Sequence, residues 1–317
     1  MTPVVDSSAT PSWKRTDLSR KIDSGFVWLT GAFAIAVAIV LLLITLQVGS
    51  QALPAMQEFG LGFLVSSRWD PVANIFGAWP QVFGTIVTSL IALVLAIPVG
   101  VGVGIFLSED FLPPRLKQPI VFLIELLAAI PSVVYGLWGI FVFIPFIRPF
   151  GNWLHQNLGW FPLFSTPPAG PGIYVAGIIL AIMILPIISA ISRDALVAVP
   201  LELRQAAYGL GATRWETIFR VILPAASAGI LGGAMLGLGR AMGETMAVTM
   251  VIGNSNVASP SILSQGSTVA SLLANQFAEA GDLQMSSLMY AALVLFLLTL
   301  VVNVLAEFIV SRIRLRY

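Results

Sequence analysis

The sequence contains no cysteine, only one histidine and few charged residues. Without cysteine, the chain of 317 residues forms no disulfides, uses no thiolate nucleophile and ligates no iron–sulfur cluster. The single histidine, His155, argues against a metal cluster. Charged residues make up 10% of the chain, whereas soluble domains carry roughly 25%. We therefore expect no metal and no cofactor bound by this chain, and we look for a function outside soluble metal and thiol chemistry.

Apolar residues dominate what is present. They make up 57% of the chain, and the mean hydropathy is +0.93. Long apolar segments can each cross about 30 Å of hydrocarbon as a helix, the conformation that pairs its own backbone groups in lipid. We predict an all-α, polytopic membrane protein with six transmembrane helices, the third kinked or broken by Pro131 and Pro145. The predicted spans cover residues 26–48, 82–107, 119–147, 173–192, 226–252 and 286–310.

The basic residues indicate the orientation of the spans. Thirteen of the 16 fall on one side, which the positive-inside rule makes cytoplasmic. Both termini are then cytoplasmic, as the tails 1–25 and 311–317. The run at 26–48 is a retained helix rather than a signal peptide, because no small-residue cleavage site follows it. Together with the external loop 49–81 it precedes a five-helix core at 82–310. The thirteen residues are Lys14, Arg15, Arg20, Lys21, Arg115, Lys117, Arg193, Arg204, Arg214, Arg220, Arg312, Arg314 and Arg316.

The external segment 253–285 contains no lysine or arginine. Within it, the stretch "TVASLLANQF" predicts a short amphipathic helix lying against the bundle.

The segment 193–225 predicts a helix, a glycine turn and a second helix on the cytoplasmic side. Pro200 can open the first helix, and Gly209 and Gly211 end it. Small and apolar side chains at helical spacing suit the docking of a partner protein. The alternative is a solvated connector between two spans.

The same segment resembles the "EAA" loop of importer permeases of the ATP-binding-cassette (ABC) class. The family spacing is met by Ala206, Ala207, Gly211, Leu223 and Pro224, with two departures from the pattern. Gln205 replaces the family's glutamate and lacks its charge, and Val221 replaces its isoleucine. The resemblance implies a type I ABC permease fold and contact with a separate ATPase. The implied contact residues are Gln205, Ala206, Ala207, Tyr208, Gly209, Leu210, Gly211, Ala212 and Thr213.

The sequence context of the lysines shows whether the chain has an ATP-binding loop of its own. A phosphate-binding loop of the Walker type needs Gly-Lys-Ser/Thr, and Lys14, Lys21 and Lys117 all lack that context. The chain therefore cannot bind ATP through such a loop. If transport is active, its energy comes from another polypeptide or from an ion gradient, and the resemblance implies that ATP and Mg²⁺ are bound by the partner ATPase.

The stretch "GLGRAMGETMAV", residues 237–248, places Arg240 and Glu244 inside an apolar run. Arg240 would lie about 21 Å along a helix that starts at Ala226, near the middle of the membrane. An arginine there costs about 2.5–3.5 kcal/mol on insertion scales. If the helix is continuous, Arg240 and Glu244 share a face with Gly233 and Gly237, and this face looks into the bundle or a water-filled path.

Three interpretations of Arg240 and Glu244 stay open. They could form an internal ion pair, act in gating or subunit pairing, or contact a substrate. We favour a path for a tetrahedral oxyanion, because guanidinium binds such anions bidentately. Glu244 then either weakens the hold of Arg240 or accepts a hydrogen bond from phosphate, which keeps a P–OH donor that sulfate lacks. Thr245 is a weaker candidate, since helical threonine commonly bonds its own backbone.

Residues 237–248, together with "IELLAAIPSVVYGLWGIFVF" at 124–143, resemble signatures of phosphate-specific importer permeases. Residues 66–109 resemble the C-type rather than the A-type subunit of that group. The resemblance implies a multi-pass permease in the cytoplasmic membrane that moves inorganic phosphate and is not an enzyme. It further implies an A-type permease partner, two ATP-binding subunits and an external phosphate-binding protein, with no nucleic acid partner.

Two rival functions stay open. One is import of another oxyanion, sulfate or molybdate. The other is ion-coupled secondary transport, which predicts inverted repeats that we do not find.

Overall fold

The structure is a computed structural model that describes residues 17–109 and 111–314, and all regular secondary structure in these residues is helical. π-helical turns at Gly139–Phe143 and Ile218–Ile222 interrupt two of the long helical segments. Residues 1–16 and 315–317 of the predicted tails, with Lys14, Arg15 and Arg316, lie outside the described residues. In chain order the α-helices are α1 Asp17–Phe59, α2 Gly62–Val65, α3 Trp79–Ser108, α4 Pro114–Ala129, α5 Ser132–Trp138, α6 Ile144–Leu158, α7 Ile173–Val197, α8 Leu201–Gly209, α9 Arg214–Thr217, α10 Leu223–Gly243, α11 Met246–Val251, α12 Val269–Gln276 and α13 Asp282–Arg314.

Six helical segments of the described residues are long and apolar enough to cross a membrane, which confirms the predicted number. They cover Lys21–Phe59, Trp79–Ser108, Ser132–Leu158, Ile173–Val197, Arg214–Gly243 and Asp282–Phe308.

Residues 17–50 form a compact unit distinct from the described residues that follow. The described part of this first unit is one apolar helix, whose side chains from Lys21 onward are mostly exposed within the chain. The helix extends past both ends of the predicted span 26–48, because the polar residues on either side continue its helical hydrogen bonds.

Helices α3 and α7 form the centre of the second unit and pack along most of their length. Glycines allow this close approach. A Cβ at Gly100 would lie 2.8 Å from Cγ2 of Ile188, and one at Gly104 would lie 2.9 Å from Cβ of Ser192. Small residues let helix backbones come together in the way that membrane bundles require. The α3–α7 pair is therefore the rigid frame to which the other helices attach.

The close packing of α3 gives a testable prediction at Gly84. An alanine there would collide with the backbone carbonyl of Ser267, which cannot move away as a flexible side chain could. We expect Gly84→Ala to destabilise the folded chain by about 1–3 kcal/mol, the usual cost of overpacking. Thermal unfolding of the purified protein in detergent measures this. Gly102→Ala is the matched control, because nothing lies within 4 Å of a Cβ at Gly102 on the same helix. Equal melting temperatures for both variants would contradict the packing described here.

The third predicted span, 119–147, is displaced in the structure. Helix α4 ends at Ala129, and Ile130 and Pro131 are extended, with ψ of 126° and 139°. Proline pushes the residue before it out of the helical region, so the break falls where the sequence predicts a kink. The long apolar segment instead begins at Ser132 and continues to Leu158. Pro145 lies in the first turn of α6, where the absence of an N–H does not break the helix.

The loop between α11 and α12 folds back over the start of α7. The backbone N–H groups of Gly172, Ile173 and Tyr174 donate to the carbonyls of Val251, Ser264 and Ile262 at 2.9–3.0 Å. These bonds satisfy donors that the first turn of a helix leaves free. The predicted amphipathic helix follows as α12, and the Thr268 hydroxyl caps it by accepting from the N–H of Ser271. This loop therefore closes one end of the bundle with protein.

Candidate functional site

The fifth predicted span, 226–252, does not continue as one helix through the candidate residues. Helix α10 ends at Gly243, and Glu244 has an extended backbone with φ of −67° and ψ of 123°. The Glu244 Oε1 accepts from the N–H of Ala247 at 3.3 Å, and the Thr245 hydroxyl donates to the carbonyl of Gly243 at 3.2 Å. These side chains replace backbone bonds that are lost at the break.

The break separates the two candidate charges. Glu244 lies beyond the end of α10, so the prediction that it shares one continuous helix face with Arg240 was wrong. Within the described part of the chain, no ion pair joins Arg240 to Glu244. Glu244 instead caps α11, and its side chain is only partly exposed. The internal ion pair is therefore not the arrangement in this structure.

The predicted small-residue face also divides in two. Gly233 and Gly237 are buried against α7, where Cβ atoms would lie 3.0 Å from Ile191 and 3.1 Å from Ile188. Arg240 is exposed. Because α10 is continuous through these positions, the glycines and Arg240 keep the predicted helical spacing, but only the glycines are buried, where they form the contact that holds α10 on α7. The glycines thus position Arg240 without lining its surroundings.

Arg240 lines a cavity of about 700 Å³ between α7, α10 and α13. Most of the lining side chains from α10 are small or apolar, so Arg240 is the one charge that α10 contributes. Helix α13 adds Asn303 and Glu307, four residues apart and therefore on one face. The remaining lining residues are Ile187, Ala228, Gly232, Met235, Leu236 and Gly239.

The presence of Asn303 and Glu307 in the cavity of Arg240 was not predicted from the sequence. Near the end of the last apolar run, Glu307 would be expected from the sequence to reach the membrane interface, whereas the structure places it in the same cavity as Arg240. The available signal was the pair of polar residues at helical spacing in an apolar span. That signal identifies a polar face, but it does not show which other helix the face meets.

The exposed face of α10 around Arg240 differs in polarity from the exposed face of α3. Helix α3 exposes a stripe made only of apolar side chains, including Ile86, Leu90, Val94 and Phe106. Such a stripe suits lipid. An exposed arginine within an apolar span is costly unless it meets water or another protein. The face of α10 that carries Arg240 is therefore suited to a polar path or a subunit contact rather than to lipid.

The two segments that resemble signatures of phosphate-specific importer permeases, residues 124–143 and 237–248, also contact each other. Helix α5 packs on α11, and a Cβ at Gly136 would overlap with Met250. Helix α11 follows directly after Arg240 and Glu244 in the chain. The structure thus brings residues 124–143 to the region where α10 is broken.

The segment 193–225 has the predicted helix, turn and helix. Pro200 precedes α8, Gly211 has a positive φ of 85°, and Thr213 starts α9 with a capping box. In that box the backbone N–H and the hydroxyl of Thr213 both donate to Glu216 Oε2 at 2.8 Å. The turn is therefore held in a defined shape by local bonds.

The candidate docking residues are mostly accessible at this turn. Leu210 is 89% exposed, and Tyr208 is about half exposed. Ala207 is the exception, because it is buried within the chain and packs toward the bundle. The prediction that Ala207 contacts a partner is therefore not supported by its position. The remaining candidates, apart from the partly buried Ala212, are exposed: Gln205, Ala206, Gly209, Gly211 and Thr213.

Comparison with known proteins gives consistent results. Residues 96–315 match the family model "Binding-protein-dependent transport system inner membrane component". The chain is 45% identical over 301 residues to a protein of Haemophilus influenzae named "Phosphate transport system permease protein PstC", covering 92% of this chain and 94% of that protein. A Mesorhizobium japonicum protein of the same name is 42% identical over 320 residues, covering 99% and 97%.

A solved structure shares the fold. It is that of a bacterial alginate ABC transporter in complex with a pentasaccharide-bound periplasmic protein. The TM-score is 0.60 at 15% identity, covering 92% of this chain and 96% of the other. At this identity the likeness concerns the fold alone.

Proposed function

The chain belongs to the family of binding-protein-dependent transport system inner membrane components, and from this premise we propose how it moves inorganic phosphate. It is a multi-pass permease subunit of an ATP-driven phosphate importer in the cytoplasmic membrane. It is a transport subunit and not an enzyme. As in its family, it works with a partner permease, an ATPase and a substrate-binding protein. The partner permease is of the A-type and faces this chain in a heterodimer, and two copies of the ATPase complete the complex.

The side on which the ATPase binds follows from the basic residues. Arg204, Arg214 and Arg220 belong to the segment that carries the exposed turn at Leu210. The positive-inside rule makes this side cytoplasmic, together with both termini. The turn from Gln205 to Thr213 then faces the cytoplasm, where ATP is available. ATP and Mg²⁺ are held by the ATPase subunits.

The observation that carries the substrate path is the exposure of Arg240 in a cavity within an apolar span. Lipid is an unfavourable neighbour for that charge, and a hydrated anion is a favourable one. The guanidinium offers two parallel N–H donors to the oxygens of a phosphate. Asn303 can add a neutral amide donor from α13. The A-type permease covers the open side, so that phosphate passes between the two subunits.

Glu244 serves this path in two ways. As an acceptor it caps α11 and holds the break beside Arg240. As a carboxylate it accepts the P–OH hydrogen of phosphate, a donor that fully ionised sulfate lacks. Thr245 stabilises the same break through its bond to Gly243, and it is the weaker candidate for a contact with phosphate.

Two substitutions separate these roles of Glu244. Glu244→Gln keeps an acceptor for the N–H of Ala247 and removes the charge, whereas Glu244→Ala removes both. We expect Glu244→Gln to assemble normally and to let sulfate compete with phosphate uptake. Glu244→Ala is expected to lose, in addition, about 0.5–2 kcal/mol of stability, the usual cost of losing a cap. Competition assays and thermal unfolding measure the two effects. An unchanged preference for phosphate over sulfate in Glu244→Gln would remove the carboxylate from substrate selection.

The experiment that tests the function is uptake of radiolabelled phosphate. The chain and its partners are expressed in cells that lack their own high-affinity phosphate importer. We expect saturable uptake that needs ATP and resists excess sulfate and molybdate. Uptake that sulfate abolishes would favour the import of another oxyanion. Uptake that persists without the ATPase and collapses with the ion gradient would favour secondary transport.

A further inference from the structure

One side chain ties the exposed turn to the transmembrane frame. Arg204 lies in α8, and its Nη1 donates to Oε1 of Glu109, the residue that caps the end of α3. Its Nη2 donates to the carbonyl of Leu196, in the last turn of α7, at 2.9 Å. A single guanidinium therefore reaches the ends of both helices of the α3–α7 pair. The planar fork of arginine presents donors on two separate nitrogens to two separated acceptors, whereas lysine has one compact ammonium group.

The pair is withdrawn from solvent. The side chains of Glu109 and Arg204 are 6% and 16% exposed. Charge-assisted hydrogen bonds are strong in such surroundings, and removal of one partner leaves the other charge buried without compensation. Two other ion pairs, Arg68–Asp70 and Arg193–Asp194, join near neighbours in the chain and each has a more exposed partner. Arg204–Glu109 is therefore different in kind, since it joins segments 95 residues apart.

A second contact holds the other arm of the turn to the same place. The Phe111 ring, just beyond Glu109, lies between the rings of Phe106 and Trp215, with centroids 6.0 Å and 5.6 Å away. The guanidinium of Arg214 lies 3.9 Å from the centroid of Phe111. Both arms, α8 and α9, are thus attached to the end of α3. Between them, Leu210 at the tip remains free to meet the ATPase.

The attachment continues to the proposed substrate path. Helix α3 packs closely on α7, and α10 is held on α7 through Gly233 and Gly237. A displacement of α8 is therefore transmitted by Arg204 to the α3–α7 pair and then to the helix that carries Arg240. Gln205, at the position of the family's glutamate, is exposed.

We propose that Arg204 and Glu109 are positioning residues that couple ATPase movement to the opening of the phosphate path. This inference rests on the proposed function, because it needs an ATPase to move α8. Without the ion pair, α8 can follow the ATPase while α3 and α7 stay in place. ATP is then hydrolysed with little transport.

The test is the number of phosphate ions transported per ATP hydrolysed by the whole importer in proteoliposomes. We expect Arg204→Gln to assemble with the ATPase and to reduce this ratio at least about fivefold, the lower end of typical coupling between sites. Arg204→Lys should give an intermediate ratio, because it keeps the charge but reaches only one acceptor. Arg193→Gln is the matched control on the same side of the membrane and should keep the wild-type ratio. Glu109→Gln combined with Arg204→Gln should be no worse than Arg204→Gln alone.

The outcomes separate this inference from the function on which it rests. If the wild-type complex hydrolyses ATP but moves no phosphate, the proposed function fails. If wild type moves phosphate and Arg204→Gln keeps the wild-type ratio, the coupling role of Arg204 fails. If Arg204→Gln does not assemble, the ratio for Arg204→Lys decides, and a wild-type value for that variant contradicts the inference. A loss of transport and ATP hydrolysis in equal proportion would also contradict it, because that is the result of a purely structural defect.

Discussion

Replacement of Arg240 by glutamine is expected to reduce phosphate uptake about 100-fold. Hydrogen bonds to charged groups contribute roughly 1.5–3 kcal/mol each, and tenfold corresponds to about 1.4 kcal/mol. A bidentate contact with phosphate therefore accounts for an effect of this size. The initial rate of labelled phosphate uptake measures it, at matched amounts of the chain in the membrane. Arg240→Lys should retain part of the activity, since the charge remains and the fork is lost.

The matched control is Arg148→Gln, the same change at an exposed arginine of another helix, α6. It should leave uptake near the wild-type rate. Full uptake by Arg240→Gln would mean that Arg240 pairs with the partner permease rather than with phosphate. Equal losses for both arginines would mean that general positive charge attracts phosphate and that no specific contact is made by Arg240.

A second large effect is expected at the tip of the exposed turn. Leu210→Asp replaces an apolar side chain with a charged one. The Leu210 side chain is 89% exposed and therefore adds little to the packing of the fold. A charge buried without a partner in the interface with the ATPase is strongly unfavourable. We expect the ATPase to be lost from the purified complex and ATP-driven uptake to fall at least about tenfold. Recovery of the ATPase with the tagged permease measures the first effect.

Val72→Asp is the control for this change, because Val72 is 95% exposed and belongs to another loop. It should leave the ATPase bound. A Leu210→Asp variant that retains the ATPase and its uptake would show that the turn is a connector between spans, the alternative that the sequence left open.

The sequence predicted the fold well where one segment contains the whole signal. Six apolar runs appear as six helical segments, because hydrophobic length depends only on neighbouring residues. Pro200, Gly209 and Gly211 predicted the helix and its turn for the same reason, and the structure has them. The third span was misplaced because apolar residues continue on both sides of Pro131, so hydropathy does not show which part spans.

The candidate site was harder to predict, because it depends on contacts between distant segments. Arg240 stood out by its charge alone. The break at Glu244 involves no proline, and the apolar character of α10 continues into α11, so a single helix was the natural prediction. Asn303 and Glu307, which line the same cavity, are more than 60 residues away from Arg240 along the chain. The Arg204–Glu109 pair has the same property, since no local pattern relates its two members.

The central claim is that the α10 face around Arg240 lines a water-filled path for phosphate. Because the chain contains no cysteine, single cysteines can be introduced without a background from this subunit. Gly232 and Gly239 border the cavity, Gly102 lies on the apolar stripe of α3, and nothing lies within 4 Å of a Cβ at any of them. The same substitution therefore fits at all three positions.

The measurement is the rate at which a charged, membrane-impermeant thiol reagent modifies each cysteine in the assembled importer, with and without phosphate during ATP hydrolysis. The account predicts rapid modification at Gly232→Cys and Gly239→Cys, a change in that rate when phosphate is transported, and no modification at Gly102→Cys. Cysteines at 232 and 239 that stay as unreactive as the one at 102 would place this face in lipid or in a dry subunit contact, and would contradict the path.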